Sequence, residues 1–259
     1  MTFTLISVFI TMGLFFSMLL LLDIGRRVGV RRLASDPEGA RTGTGTVDGA
    51  VFALLGLLIA FTFSGAASRF DARRALIVEE ANNIGTAYLR LDLLPASAQP
   101  ALRDSFRRYV ESRLEVYRKL PDLEAVKVEL ARSTQLQGDI WSQAVAAGRL
   151  EGAPPAATIL LLPALNQMID ITTTRTMATQ MHPPVVIFVL LFGLALASAL
   201  LAGYGMAGGK SRNWIHMLGF AAVMAVATNV TLDIEYPRLG LIRVDAFDQV
   251  LVDVRDSMQ

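Results

Sequence analysis

The residues able to do chemistry are few, and most lack the company that chemistry needs. Two histidines, His182 and His216, stand apart at the ends of apolar stretches. Neither belongs to a His-Glu-x-x-His pattern or a similar spacing that would present two metal ligands on one helix face. Cysteine is absent, which excludes disulfides and thiolate metal sites. The run Gly203-Tyr204-Gly205-Met206-Ala207-Gly208-Gly209-Lys210-Ser211 ends like a phosphate-binding loop. That loop needs glycine where Tyr204 stands, with a strand before it, and here an apolar helix precedes it. The same run contains the Gly-Tyr-Gly of potassium filters, which sit on re-entrant loops between two helices. At the end of a span, its ordinary reading is a small-residue interfacial turn.

The remaining polar groups are carboxylates, amides and arginines. Glu79, Glu80, Asn82 and Asn83 fall on one helical stretch, and Asp170 and Arg175 on another. Rings of such groups in an oligomer could line a vestibule and bias ion passage by charge. The competing reading is structural: Glu79 and Glu80 pair with arginines, and Asp170 and Arg175 serve packing, because a buried charge must be paired. Asp233, Glu235 and Arg238 read as an interfacial salt-bridge cluster. The Asn229 to Thr231 triplet resembles a glycosylation site but lies within an apolar span. No nucleophile and base come together, so the chain is not expected to be an enzyme, and no cofactor or metal is expected. A net charge of +1 lacks the basic footprint of a nucleic-acid binder. Neither nucleic acid nor nucleotide is an expected partner.

What must position these groups is a set of membrane helices. Apolar residues are 53% of 259 and charged residues 18%, with mean hydropathy +0.46; a soluble domain carries nearer a quarter charged. Four uncharged stretches are long enough to cross a core about 30 Å thick: Thr2 to Leu22, Gly49 to Ser68, Pro183 to Gly209 and Asn213 to Leu232. The first lacks a basic n-region and a small-x-small cleavage site, so a retained anchor is expected. Residues 67–182 show helical periodicity almost throughout. Ile77, Ile84, Tyr88 and Leu91 form one stripe, and Leu102, Phe106, Val110, Leu114 and Tyr117 a second. Val126, Leu130, Ile140 and Ala144 form a third, and a fourth helix spans about 158–180. No proline interrupts 64–83, so the second membrane helix is expected to run well beyond the bilayer.

The expected fold is therefore all-α. Residues 1–66 hold transmembrane helices 1 and 2, 67–182 a large helical extramembrane region, 183–233 helices 3 and 4, and 234–259 a tail ending in a short amphipathic helix. Orientation stays open. Arg26, Arg27, Arg31, Arg32, Arg41, Lys210 and Arg212 give seven basic residues on one side. Arg69, Arg73, Arg74, Arg175, Arg238 and Arg243 give six on the other, too even for the positive-inside rule.

The stretch Leu58-Ile59-Ala60-Phe61-Thr62-Phe63-Ser64-Gly65-Ala66-Ala67-Ser68-Arg69-Phe70-Asp71-Ala72-Arg73-Arg74 resembles the second-helix segment of bestrophins, matching without gaps at Phe61, Ser64, Arg69, Phe70 and Arg74. Three further segments resemble the bacterial bestrophin-like family: Glu79 to Arg90 with Leu93-Leu94-Pro95, Leu165 to Asp170 with Arg175, and Leu232 to Gly240. The resemblance implies a homo-oligomeric channel, a pentamer in bestrophins, in a bacterial inner membrane with inorganic ions as its cargo. It implies an apolar pore neck at Ala53, Leu57 and Phe61, and it places 67–182 in the cytoplasm. Ala53 is smaller than the residue such a neck would have. Two alternatives remain: these three residues pack against lipid or neighbouring helices, or the protein is a non-conducting scaffold or signalling subunit whose helical region binds a partner.

Overall fold

The structure is a computed structural model that describes residues 2–40 and 44–258, the side chain of Thr2 excepted; Arg41 lies outside them. Among the described residues it is helical, without strands. The helices are α1 (Thr2–Ser35), α2 (Thr44–Leu89), α3 (Gln99–Arg118), α4 (Leu123–Ala147), α5 (Pro155–Gln180), α6 (Val185–Gly205), α7 (Trp214–Glu235) and α8 (Gln249–Ser257). Four described segments are long and apolar enough to cross a membrane: Phe3–Ser35, Thr44–Leu93, Pro155–Gly208 and Trp214–Glu235. The chain forms two compact units, Met1–Arg69 with His182–Ile242, and Phe70–Met181 with Arg243–Gln259. Each is taken by itself.

In the first unit α1 packs along α6 and α7. Leu14, Met18 and Leu22 of α1 meet Leu191, Ala195 and Ala199 of α6 and Met217, Ala221 and Met224 of α7, joined by Leu55 of α2. Glycines set the α1–α6 crossing. A side chain on Gly25 would collide with the Leu200 carbonyl, and one on Gly203 with the Leu22 carbonyl. Small residues let membrane helices approach this closely, so Gly203 of the filter-like tripeptide serves helix packing. Asn229 accepts hydroxyl hydrogen bonds from Ser7 and Thr11, both 2.8 Å, tying α7 to α1.

α1 continues well past Leu22, the end of its uncharged stretch. The charges that end a span do not end a helix: Asp23 and Arg27 pair at 2.6 Å one turn apart, and Asp36 then accepts from Gly39. α2 likewise runs to Leu89 as one helix.

The second unit has its own core. Ile84, Ala87, Tyr88 and Leu91 meet Leu102, Phe106, Tyr109 and Val110 of α3, Leu136, Ile140 and Ala144 of α4, and Leu161, Leu165 and Met168 of α5. Asp122 caps α4 by accepting from the amides of Glu124 and Ala125, both 3.1 Å. The expected α4 stripe is correct at Ile140 and Ala144 but not nearer the start, where Val126 and Leu130 stay half-buried and Glu129 turns inward. Glu129 accepts from Ser112 at 2.8 Å and pairs with Lys119 at 2.5 Å, so a polar seam replaces apolar contacts there. The C-terminal stretch belongs here too: Leu251 of α8 enters this core and Arg107 donates to the Met258 carbonyl at 2.8 Å.

Candidate functional site: the open face of α2

α2 is long and sparsely covered. Its inward positions Leu55, Thr62, Ala66, Ile77, Ala81 and Ile84 are buried, while another face stays open. At 100° per residue, Ala53, Leu57, Phe61, Ser64 and Ser68 of the first unit fall within an arc of about 80°; in the second unit Asp71, Ala75, Glu79, Asn82, Thr86 and Leu89 do the same, and all are exposed. Leu57 is 52% and Phe61 66% exposed. Apart from those two, the membrane part of this face carries only small or hydroxyl residues. The open positions of α1 between Leu5 and Leu20 differ: all but Gly13 and Ser17 are large and apolar, the composition lipid contact favours.

The polar residues of this stretch separate into two groups, because neighbours on a helix point 100° apart. Glu80 is completely buried. It accepts from Arg113 Nε at 2.5 Å and pairs with Arg175, whose guanidinium lies 4.3 Å from the Tyr117 ring centroid. Arg113 also donates to the Tyr117 hydroxyl at 2.9 Å, and Arg175 lies 3.8 Å from Asp248. Burial pushes the Glu80 carboxyl up, but the two guanidiniums outweigh it and hold the group below the usual carboxylate range. Glu79 and Asn82, by contrast, are exposed on the open face. Glu79 has no hydrogen-bond or ionic partner among the described residues, so the pairing expected for it is absent there. Asn83 is half-buried and makes one long contact, 3.4 Å to the Gln167 carbonyl. Asp170 is exposed, which corrects its reading as a buried partner; five residues separate it from Arg175, about 140° around α5.

A second polar joint was not foreseen in full. Glu235, fully buried at the end of α7, accepts from Arg69 Nη2 at 2.6 Å and Nε at 3.0 Å. His182 Nδ1 lies 2.9 Å from the same carboxylate, and its ring stacks on Tyr236. Asp233 instead accepts from the amides of Leu241 and Ile242, closing the turn after α7. Asp233 and Glu235 therefore serve separate devices, and Glu235 takes a guanidinium from α2. Residues 166 apart in sequence leave no local spacing by which to foresee this pair. Among the described residues no group of three His, Asp or Glu side chains could hold a metal ion.

The Bestrophin-like domain profile matches residues 13–246. No curated protein matches the chain significantly. Among solved structures, a point variant of a bacterial bestrophin homolog from Klebsiella pneumoniae superimposes with a TM-score of 0.69 at 14% identity, covering 95% of this chain and 98% of that one. A second variant of that homolog gives 0.65 at 15% identity, with 95% and 98% covered. A third gives 0.64 at 16%, with 93% and 97%. Identity that low carries the fold, and the domain match over most of the length carries the family. The chain is an all-α, multi-pass membrane protein that belongs to the bestrophin-like family.

Proposed function

We propose that the protein is a homo-oligomeric ion channel of a bacterial inner membrane, with copies of α2 gathered around a shared axis. The observation that carries this reading is the open face of α2. A face bathed in lipid should resemble the mostly large, apolar open positions of α1; Ala53, Ser64 and Ser68 instead suit close neighbours or water. Within that face Leu57 and Phe61, with Ala53 a turn earlier, form the neck. A narrow apolar ring gates by dewetting, since it cannot replace the hydration of an ion. The small Ala53 ring leaves the constriction to Leu57 and Phe61. Glu80 and Arg175 hold the second half of α2 in place, a supporting role.

The test is planar-bilayer recording of the purified protein in Cl⁻, Na⁺ and K⁺ gradients. The expected result is current in the wild type and larger unitary conductance in Phe61→Ala. Silence of both would overturn the reading in favour of a non-conducting scaffold.

A further inference from the structure

Within the first unit, residues 209–213 join the membrane-spanning segment that ends at Gly208 to the one that begins at Trp214. A link that short stays at the level of the lipid headgroups. It borders an open recess of about 700 Å³ whose lining includes Gly209, Lys210, Arg212, Trp214 and Ile215. Lys210 is exposed, with no hydrogen-bond or ionic partner among the described residues. Arg212 is held by Asp23 at 2.8 Å, with 40% of its side chain still exposed. Arg27 shares Asp23, and Arg26 donates to the Gly209 carbonyl at 3.0 Å. Four cations thus meet one carboxylate. The other carboxylates at this end of the unit are Asp36, paired with Arg32, and Glu38 and Asp48; none of them pairs with Lys210. Asn213 accepts from the His216 amide at 3.4 Å, capping α7. The amides of Trp214 and Ile215 make no hydrogen bond among the described residues, so the positive end of α7 adds to the charge at the recess. Trp214 is 52% and Ile215 83% exposed; an indole at a span end sits where headgroup meets acyl chain.

We propose that this recess binds the phosphate of an anionic phospholipid. The phosphate accepts from the Lys210 ammonium, the Arg212 guanidinium and the uncovered α7 amides, and Trp214 lies against the glycerol and the first part of the acyl chains. A soluble phosphate carries the same charge, but the exposed apolar rim at Trp214 and Ile215 favours the lipid, whose chains give that rim a partner. The run Gly208-Gly209-Lys210-Ser211 then serves a phosphate without the strand that a nucleotide loop needs. The site requires a bilayer and is independent of conduction.

Trp214 can report on the site directly, because Trp141 of the second unit is the one other tryptophan. The full-length Trp141→Phe protein is reconstituted in phosphatidylcholine vesicles, and its fluorescence is titrated with phosphatidylglycerol brominated near the top of the acyl chains. Quenching should be half complete at a clearly lower mole fraction than with brominated phosphatidylcholine. Lys210→Gln should raise that fraction for phosphatidylglycerol roughly fivefold, the effect of one cation at a charged membrane surface. Lys210→Arg should keep most of the preference. Arg149→Gln, which removes an exposed charge from the second unit, should leave it unchanged. Elution like the parent protein on size exclusion establishes that each variant is folded. Equal quenching by the two lipids, or a phosphatidylglycerol preference unmoved by Lys210→Gln, overturns the proposal. Relief of the quenching by soluble glycerol phosphate assigns the recess to a soluble anion and overturns it as well.

Discussion

Leu57 and Phe61 lie four residues apart on α2, so two large apolar side chains stand 40° apart around one helix and about 6 Å apart along it. The same interval relates Ala53 to Leu57. All three are exposed. On the proposed reading their common environment is the conduction path.

Because the chain has no cysteine, single cysteines can be introduced without background. Phe9 of α1 and Phe61 of α2 are exposed to similar degrees, 75% and 66%. A bulky, charged thiol reagent should block current through Phe61→Cys and leave Phe9→Cys unaffected, because on the proposed reading only the first lines water. Equal insensitivity at both positions in a conducting protein would remove Phe61 from the pore.

Glu80 should matter to stability rather than to ion choice. Glu80→Ala leaves the Arg113 and Arg175 guanidiniums buried without their shared partner, a loss of about 3–5 kcal/mol. Glu79→Gln, at an exposed and unpaired position, should stay within about 0.5 kcal/mol. Thermal melts in detergent compare the two. A pH series adds a sign. The folded carboxyl of Glu80 is held below its ordinary value of 4.5, so its stabilisation is complete above that pH and is lost as pH falls through the lower folded value. The wild type should lose melting temperature on acidification below about 4.5, and Glu80→Gln should show a shallower decline.

The hydrophobic blocks made the membrane helices and their order legible, and the 3.6-residue stripes gave the helices of the second unit. Two things were hidden for separate reasons. A charged flank ends an apolar block but not a helix, which is why α1 runs thirteen residues past Leu22. Pairings such as Arg69 with Glu235 and Glu80 with Arg175 join distant stretches, and no local period encodes them. The division of Glu79 from Glu80 was accessible in principle: Ile77 and Ile84 mark the buried face, and Glu80 lies within about 60° of both, whereas Glu79 lies about 140° or more from both.

The α1–α6 crossing gives a prediction that contrasts glycines within one unit. Gly203→Val would drive a side chain into the Leu22 backbone, which cannot retreat without separating the helices. A loss of about 1–3 kcal/mol or more is expected, seen as a lower melting temperature. Gly193, in the same helix, has open space where its Cβ would stand. Gly193→Ala should be neutral or slightly stabilising, since alanine is the better helix former. If both substitutions behaved alike, the close crossing at Gly203 would not exist.

The Glu235 joint gives the last prediction, an ordering of three variants. Glu235 is fully buried, whereas the Arg69 side chain is 30% exposed and His182 28%. Arg69→Ala leaves the buried carboxylate without the guanidinium that donates to it twice, and losses of about 3–5 kcal/mol follow from breaking such pairs. Glu235→Gln instead leaves Arg69 able to turn its charge toward water, so its loss should be smaller. In the double variant the stranded carboxylate is gone, so its stability should lie above that of Arg69→Ala alone. A double-mutant cycle on melting free energies reads the coupling directly. Additive losses would mean that the two groups act independently and that α2 is not anchored to α7 through this carboxylate.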